Sequence, residues 1–483
     1  MLGGGIGSQP NHALLVYDFL EAEQIIPFTE CVLRVFDRYG ERNNRNKARM
    51  KFLIKKIGIK NFLSLVDEEK ITLNDKNYKF IDNKIDYKSI KIIKKQIPDT
   101  LKDNFKNWKK INVFKQKQKK YVSIGIKIIN GDIQSNKVRL LAKVIKLYTG
   151  DDTRLTLNQS ILLRFVPIEN LEVVYLLLYE LDLCKIGFHR VGDIVSCPGT
   201  DTCNLGIASS MGLAKELENI IYSDFYYLIK EKELSIKISG CMNACGQHTI
   251  ANIGFQGMTI KSGEHVVPAS QILLGGGAIS NGKGRFADKI LKVPSKKSPD
   301  VLKWILNDFK LNRNKKENFN SYYDRKGKNY FYQNLKKYSE SKNLSKNDYI
   351  DWGNESKYKK SIGIGECAGV VIDLVQTLFF ESKEKLDLAN SCILNNQFSD
   401  SIYHSYSAQI QSAKALLISK DIMCNSQSNI IENFDKNFTY LFKEYGSFSN
   451  LIYRIKKNKP NKEFAHDYYK QAINIIDIIK NYK

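Results

Sequence analysis

The sequence predicts an α+β protein that ends in an α-helical bundle. Residues 122–128 alternate between apolar and other positions at period two, which is typical of a half-buried strand. Predicted helices at 135–148 and 169–183 flank a second predicted strand at 154–166, and this β-α-β-α order indicates a small open sandwich. Apolar residues within 363–483 repeat at helical spacing without a strand pattern, so this region is predicted to be a helical bundle.

Length and composition set the scale of the protein. The chain has 483 residues, enough for about three domains, and 43% of them are hydrophobic, which excludes a disordered chain. The net charge of +24 suits an acidic protein, a polyanion or an anionic cofactor, although biased base composition would also produce this excess of Lys. The sequence has no aromatic-basic binding motif, so no nucleic-acid partner is expected.

Nothing in the sequence indicates secretion or a membrane. Residues 1–5 have neither the basic nor the apolar region of a signal peptide. The most apolar long window, 361–380, carries Glu366, Asp373 and Gln376, and is too polar to span a bilayer. We therefore expect a cytoplasmic protein with no membrane partner, in which the nine cysteines form no disulfide framework.

Two features concern the organisation of the chain. The basic, turn-poor stretches 75–120 and 312–362 lack a sustained apolar period and are predicted to be linkers with short local structure. A weak internal repeat is also present, because the Leu-Gly-Gly-Gly of residues 2–5 recurs at residues 274–277. The second copy follows a full domain and the first does not, so we expect the chain to begin partway through a repeated unit.

The strongest chemical signal is a group of four cysteines. Cys197 and Cys203 form a C-x5-C pair, and Cys241 and Cys245 form a C-x3-C pair. Four thiolates from two loops are what a [4Fe–4S] cluster needs, one for each iron. A structural zinc site is the alternative, but its usual C-x2–4-C pairs fit the first spacing poorly. The other cysteines show no such spacing and are expected to be small core residues. They are Cys31, Cys184, Cys367, Cys392 and Cys424.

The residues around these cysteines resemble the sirohaem-dependent sulfite and nitrite reductases. The matching segments are Cys197-Pro198-Gly199-Thr200, Cys203-Asn204-Leu205-Gly206, Ser239-Gly240-Cys241, Asn243-Ala244-Cys245-Gly246-Gln247-His248 and Ile253-Gly254-Phe255. One departure is Met242, where the family usually has Pro. The resemblance implies that the four cysteines hold a [4Fe–4S] cluster and that Cys245 also binds the sirohaem iron. His248 is a candidate proton donor or, equally, a hydrogen-bonded structural histidine.

The resemblance extends to residues that would contact sirohaem. Residues 153–159 look like the strand that follows the family's ferredoxin-like half-domain, whose Gln, here Gln159, approaches the macrocycle. Residues 40–51 resemble the basic segment that binds the macrocycle's carboxylates, which need several cations. The candidate ligands are Arg42, Arg45, Arg49 and Lys51. The three arginines would share one face of a helix, and a solvated basic helix is the alternative. The Gly-rich turns at 3–5 and 275–277 fit the family's turns beside sirohaem.

The resemblance also implies a domain organisation. The expected parts are 1–74, the truncated first nitrite/sulfite reductase sirohaem domain; 75–120, a basic linker; 121–186, the ferredoxin-like half-domain; 187–311, the second 4Fe-4S/sirohaem domain; 312–362, a basic linker; and 363–483, a helical domain. The last part resembles HEPN-type domains. Because no Arg precedes His404 or His466 at the Arg-x4–6-His spacing of the nucleases in that group, an accessory packing or docking role is expected.

By resemblance, the reaction is the six-electron reduction of sulfite to sulfide, with reduction of nitrite to ammonia as the alternative. The electron donor would be an acidic ferredoxin or a flavoprotein. The family's substrate-binding Arg and Lys precede the first Gly-rich turn, so no catalytic residue is assignable and a separate N-terminal half is a candidate partner. A fragment, a split-gene product and a degraded gene all remain open. An alternative function of a different class is that of a non-catalytic iron–sulfur electron-transfer or scaffold protein.

Overall fold

The computed structural model describes residues 1–44, 47–73, 77–79, 90–230, 234–279, 283–341, 344–359 and 374–482. The chain divides into two compact units. The terminal unit consists of residues 1–5, 11–82 and 370–483, and the central unit consists of residues 6–10 and 83–369.

The described α-helices are α1 (Ile25–Tyr39), α2 (Met50–Ile57), α3 (Ile59–Ile71), α4 (Lys102–Asn112), α5 (Ser135–Tyr148), α6 (Leu171–Glu180), α7 (Ser210–Asp224), α8 (Ser298–Asn312), α9 (Phe319–Lys326), α10 (Lys328–Leu335), α11 (Leu374–Leu394), α12 (Phe398–Ser419), α13 (Gln427–Phe438), α14 (Phe448–Ile452) and α15 (Lys462–Tyr482). The described strands are β1 (Val113–Lys115), β2 (Tyr121–Ile126), β3 (Asp152–Leu155), β4 (Ile161–Pro167), β5 (Val195–Ser196), β6 (Ile236–Ser239), β7 (Ile253–Ser262), β8 (His265–Leu274), β9 (Gly277–Ala278), β10 (Gly284–Arg285) and β11 (Asp288–Pro294).

The first part of the central unit is an antiparallel sheet with strand order β1-β2-β4-β3. Leu141 of α5 and Leu171 of α6 share its buried core, so the predicted strand at 122–128 and the two predicted helices are confirmed. The single strand predicted at 154–166 is wrong, because β3 and β4 form a hairpin. The hairpin turns through 156–160, where Gln159 adopts a φ of 62°, and this left-handed conformation ends a strand.

The second part of the central unit is a mixed sheet with strand order β11-β8-β7-β6-β5. Strands β5, β6 and β7 are parallel, and β8 and β11 are antiparallel to their neighbours. Leu217 of α7 and Leu306 of α8 pack against Ile238 and Phe255 of the sheet in one buried core. Because β5 and β6 are parallel neighbours, the loops that follow them leave the same edge of the sheet.

Both stretches predicted as linkers contain packed structure. In 75–120, α4 buries Trp108 at 1% exposure and β1 pairs with β2. In 312–362, α9 and α10 bury Phe319, Tyr322 and Phe331 in the core of the five-stranded sheet. The prediction failed because a small number of aromatic side chains anchor these helices in the core. Among the many Lys and Asn residues, so few apolar positions do not form a recognisable helical period.

The terminal unit joins two segments that the sequence predicts as separate domains. Helices α1 to α3 pack with α11 to α15, and in the described residues 374–482 the structure contains helices and turns without a strand. Buried charge links the two segments, since Arg38 of α1 ion-pairs with Glu69 of α3 and donates from Nε to the hydroxyl of Tyr406 on α12 at 3.0 Å. Within the described ranges, no helix combines the length and apolarity that crossing a membrane requires.

Candidate functional site

The four cysteines leave one edge of the five-stranded sheet. Cys197 directly follows β5, and Cys241 follows β6 after one intervening glycine. Cys203 and Cys245 lie farther along the same two loops. Because β5 and β6 pair in parallel, with Ser196 opposite Ile238, the topology brings together two cysteine pairs that are far apart in the sequence.

Glycines let the two loops pack backbone against backbone. A Cβ at Gly240 would lie 2.6 Å from the Ala208 carbonyl oxygen and 2.6 Å from the Gly199 Cα. Gly199 itself has a φ of +58°. The carbonyl of Gly240 accepts hydrogen bonds from the N–H groups of Ile207 and Ala208 at 2.9 and 3.1 Å. A side chain at Gly240 would therefore force the two cysteine loops apart.

The thiols differ in exposure. Cys197 and Cys241 are buried, whereas Cys203 and Cys245 are exposed. Burial raises the pKa of the Cys241 thiol, and negative charge on the other three cysteines raises it further, since all three lie close enough to interact with it. The Gly240 N–H donates to Cys197 Sγ at 3.1 Å. Such N–H···S contacts stabilise a thiolate and tune the potential of an iron–sulfur cluster.

The donor set fits an iron–sulfur cluster. Among the described residues, no three His, Cys, Asp or Glu side chains converge closely enough to bind one metal ion. Thiols that hold a [4Fe–4S] cluster each bind a different iron, so they surround a volume rather than meet at a point. Ala244 and Gln247, on either side of Cys245, have φ values of 61° and 63°. Left-handed conformations at residues other than glycine carry strain that is often found at functional sites.

Gln159 lies beside the first cysteine loop. Its side-chain amide donates to the carbonyl oxygen of Ser196 at 2.7 Å and accepts the N–H of Ser196 at 3.1 Å. The hydroxyl of Ser196 is within hydrogen-bond distance, 3.0 Å, of Asn130 Oδ1. The half-domain therefore helps to position the residue that precedes Cys197. That Gln159 also approaches sirohaem stays a prediction.

Sequence reasoning missed residues that hold the segment after Cys203. The Ser209 N–H donates to Asp351 Oδ2 at 2.7 Å, and the Tyr358 hydroxyl donates to the Ile207 carbonyl at 2.6 Å. Burial is the main cause that raises the pKa of Asp351. Both partners come from the predicted linker 312–362. The only sequence feature that could have indicated this role was the presence of an aspartate and a tyrosine, which can bind backbone groups, within that segment.

His248 is buried at 1% exposure. Burial lowers its pKa to about 4, and the positive charge of Lys289 lowers it further, while a hydrogen bond with Gln256 opposes the shift. A histidine with this pKa is neutral at pH 7. The ring is buried as a structural histidine would be, although its Nδ1 has no hydrogen-bond partner among the described residues.

The expected cations for sirohaem lie in the terminal unit. Arg42 and Arg49 lie in the connection between α1 and α2, so the expectation that the arginines share one face of a helix is wrong for them, and Arg45 lies outside the described residues. Arg42 ion-pairs with Asp37 at 2.9 Å. Lys51 is buried on α2, and a Cβ at Gly5 would lie 3.7 Å from its Cδ. The structure thus brings the first Gly-rich turn and Lys51 together.

The remaining cysteines lie outside the site. Cys31 and Cys424 are buried, as expected for core residues, and Cys184 and Cys392 are only partly exposed. Cys367 lies outside the described residues.

Two family matches cover the regions that form this site. Residues 1–73 and 188–343 match the nitrite and sulphite reductase 4Fe-4S domain, and residues 114–181 match the nitrite/sulfite reductase ferredoxin-like half domain. Neither match extends into α11 to α15.

The individual relatives include proteins named as nitrite reductases and others named as sulfite reductases. The chain is 27% identical over 287 residues to a chloroplastic ferredoxin–nitrite reductase of Zea mays, covering 57% of this chain and 46% of the relative. It is 26% identical over 328 residues to sulfite reductase [ferredoxin] 1 of Mycolicibacterium paratuberculosis, covering 66% of this chain and 55% of the relative. The chain spans about half the length of the curated relatives it matches. The solved structure of Mycobacterium tuberculosis NirA protein shares the fold, with a TM-score of 0.54 and 22% identity over 68% of this chain and 57% of that one.

Proposed function

Since the chain belongs to the nitrite and sulphite reductase family, we propose that it takes part in the six-electron reduction of sulfite to sulfide. The observation that carries this proposal is the convergence of two cysteine pairs at the edge of the sheet where β5 and β6 end. Reduction of nitrite to ammonia is the second candidate, because the relatives include reductases named for each anion.

The family implies a [4Fe–4S] cluster and sirohaem as prosthetic groups. Cys197, Cys203, Cys241 and Cys245 are the residues that would hold the cluster, and Cys245 would also bind the sirohaem iron. When bound, the two groups supply the electron-transfer and anion-reducing chemistry. The chain's own contribution is to orient the thiols through Gly240 and Gln159 and to offer cationic side chains, Lys51 among them, to anionic carboxylates.

The first experiment measures the visible absorption spectrum, iron and labile sulfide of the anaerobically purified chain. We expect a four-iron cluster, and we expect Cys203→Ser and Cys241→Ser to lose iron and sulfide together. Cys184→Ser is the matched control, because Cys184 is a partly exposed thiol of the central unit with no cysteine neighbour at the ligand spacing. A colourless protein, or one that contains only zinc, would contradict the proposal.

The second experiment compares sulfite and nitrite as electron acceptors for the cofactor-loaded chain with a reduced ferredoxin as donor. Faster donor oxidation with sulfite supports the primary proposal, and faster oxidation with nitrite supports the alternative. An acidic donor attracted by the +24 net charge should react more slowly as ionic strength rises. A rate that does not depend on salt would contradict electrostatic attraction of the donor.

A proposal of another class is an iron–sulfur electron-transfer or scaffold protein without reductase activity. A chain that retains the cluster, lacks sirohaem and oxidises donor with neither anion would favour it. In either case we propose a packing role for α11 to α15, because Asp37 of α1 accepts hydrogen bonds from Tyr403 of α12 and Gln427 of α13 at 2.9 and 2.8 Å.

A further inference from the structure

Helices of the terminal unit repeat an arrangement that is also present in the central unit. A three-residue 3-10 helix, Ala22–Gln24, leads directly into the 15-residue α1, and another, Ser295–Lys297, leads directly into the 15-residue α8. In each case an eight-residue helix follows, α2 or α9, and then a glycine that begins the next helix. The two glycines, Gly58 and Gly327, share one backbone conformation, with φ of 81° and 80° and ψ of 152° and 153°. The two regions are therefore structural copies of one arrangement.

The two copies differ in the segment that precedes these helices. In the central unit, β11 ends directly before the 3-10 helix and pairs antiparallel with β8, from Asp288 opposite Leu274 to Pro294 opposite Ala269. The corresponding segment of the terminal unit is residues 15–21, which we call the unpaired segment. Within the described ranges, residues 15–20 form no main-chain hydrogen bond. Their backbone donors and acceptors are thus available to another strand.

The unpaired segment is apolar on both faces. Val16 and Leu20 are half-buried against the core that α1 to α3 form. Leu15 and Phe19 occupy alternate positions and are 59% and 77% exposed. Apolar residues on both faces are typical of a strand in a sheet that is covered on both sides. The described part of this chain covers only the face that carries Val16 and Leu20.

A second copy of this chain fits the unpaired segment poorly. Antiparallel pairing of two such segments along their whole length would place Asp18, the central residue of 15–21, directly opposite the Asp18 of the other copy. Like charges directly opposite each other destabilise a sheet. In contrast, β8 presents only uncharged residues, from Ala269 to Leu274, to β11. The chemistry therefore favours a different polypeptide with an uncharged strand.

We propose that the unpaired segment is a docking strand for a separate protein. It pairs antiparallel with the edge strand of that protein's β-sheet, and this edge strand carries small and aliphatic side chains, as β8 does. Main-chain hydrogen bonds supply affinity, and the exposed Leu15 and Phe19 add apolar contact. The inference goes beyond the proposed reductase function, since it requires neither prosthetic group and neither anion.

Fluorescence anisotropy of a labelled peptide with the β8 sequence, residues 265–274, tests the proposal on the purified full chain. We expect saturable binding. In a paired strand, successive amide groups point alternately toward the neighbouring strand and away from it. Of two peptides N-methylated at Gln271 or at Ile272, one should therefore bind about tenfold or more weakly, and the other should bind as the unmodified peptide does.

Phe19→Lys tests whether the peptide binds at the unpaired segment. The variant should weaken binding by about tenfold or more, because it removes an exposed apolar contact. Phe380→Lys is the matched control, since Phe380 is also an exposed phenylalanine of the terminal unit, at 64%, and this variant should bind as the unchanged chain does. Circular dichroism identifies a variant that fails to fold, and the N-methylated peptides test strand pairing on the unchanged chain.

Four results would overturn the proposal. Three of them concern the peptide: no saturable binding, equal binding of the unmodified and both N-methylated peptides, or equal effects of Phe19→Lys and Phe380→Lys. The fourth is a dimer of the full chain in analytical ultracentrifugation that Phe19→Lys dissociates, because this result would identify a second copy as the occupant.

Discussion

The side-chain amide of Gln159 hydrogen-bonds to both backbone groups of Ser196, at 2.7 and 3.1 Å, across 37 positions of sequence. Gln159 belongs to the turn of the half-domain hairpin, and Ser196 is the last residue of β5, directly before Cys197. Together with the contact of Asn130 Oδ1 with the Ser196 hydroxyl, this pair connects the half-domain to the start of the first cysteine loop.

Gln159→Leu is expected to weaken that connection. Two lost hydrogen bonds, with backbone groups left unsatisfied, should lower the free energy of unfolding of the central unit by about 1–3 kcal/mol. Trp108, Trp304 and Trp352 all lie in the central unit, so their fluorescence during urea unfolding reports on this unit. Gln134→Leu, on an exposed residue of the same half-domain, is the control. If both variants lowered the free energy of unfolding equally, the prediction that Gln159 has a specific stabilising role would be contradicted.

Gly240→Ala should disrupt the cysteine loops. Its Cβ would lie 2.6 Å from the backbone of both Ala208 and Gly199, and forced overpacking typically costs about 1–3 kcal/mol. We expect reduced iron and sulfide content in the purified protein. Gly284→Ala is the matched control, since the atom nearest to its Cβ would be 3.6 Å away. Full cluster content in the Gly240 variant would contradict the close packing of the loops.

A buried ion pair joins the half-domain to α7. Lys127 Nζ lies 2.9 Å from Glu218, their side chains are 1% and 8% exposed, and Lys185 also pairs with Glu218 at 2.6 Å. Glu218→Gln leaves the buried Lys127 uncompensated and should cost about 3–5 kcal/mol in unfolding free energy. Lys127→Met should cost less, because Glu218 keeps Lys185.

The double variant Lys127→Met with Glu218→Gln tests the coupling between these two residues. It should recover part of the stability that Glu218→Gln loses, since no buried charge is then left unpaired. Glu180→Gln, at an exposed position of α6, is the control and should leave the tryptophan-monitored transition unchanged. Strictly additive losses would show that Lys127 and Glu218 act independently.

Because His248 is buried, the stability of the protein is expected to depend on pH. Its pKa falls from 6.5 to about 4 on folding, so the unfolded chain binds more protons than the folded chain between these values. Stability should therefore rise with pH across this window, by about 3 kcal/mol at most from this residue. His248→Gln should flatten that rise, whereas His265→Gln, at an exposed position of β8, should not. Identical pH profiles for the unchanged chain and His248→Gln would contradict the buried neutral imidazole.

Replacing Arg38 tests how the helices of the terminal unit pack. Arg38→Met leaves Glu69, which is 4% exposed, without its ion-pair partner, and such a loss costs about 3–5 kcal/mol. Hydrogen exchange of peptides from α1, α3 and α12 should become faster. Lys55→Met, on an exposed residue of α2, should not change it. Faster exchange confined to α1 would contradict the contact with Tyr406.

By itself, the sequence determined the features that depend on local spacing. The periodicity of β2, α5 and α6 and the C-x5-C and C-x3-C pairs are visible within a few residues, because side-chain direction repeats every 2 residues in a strand and every 3.6 in a helix. Only the tertiary structure decided which residues far apart in the sequence contact each other. Gln159 acquires its role from Ser196, and the predicted linker holds the cysteine loop through Asp351 and Ser209, which are 142 positions apart. A single sequence contains no periodic signal for such contacts, since they form only when the chain folds and buried polar groups must find partners.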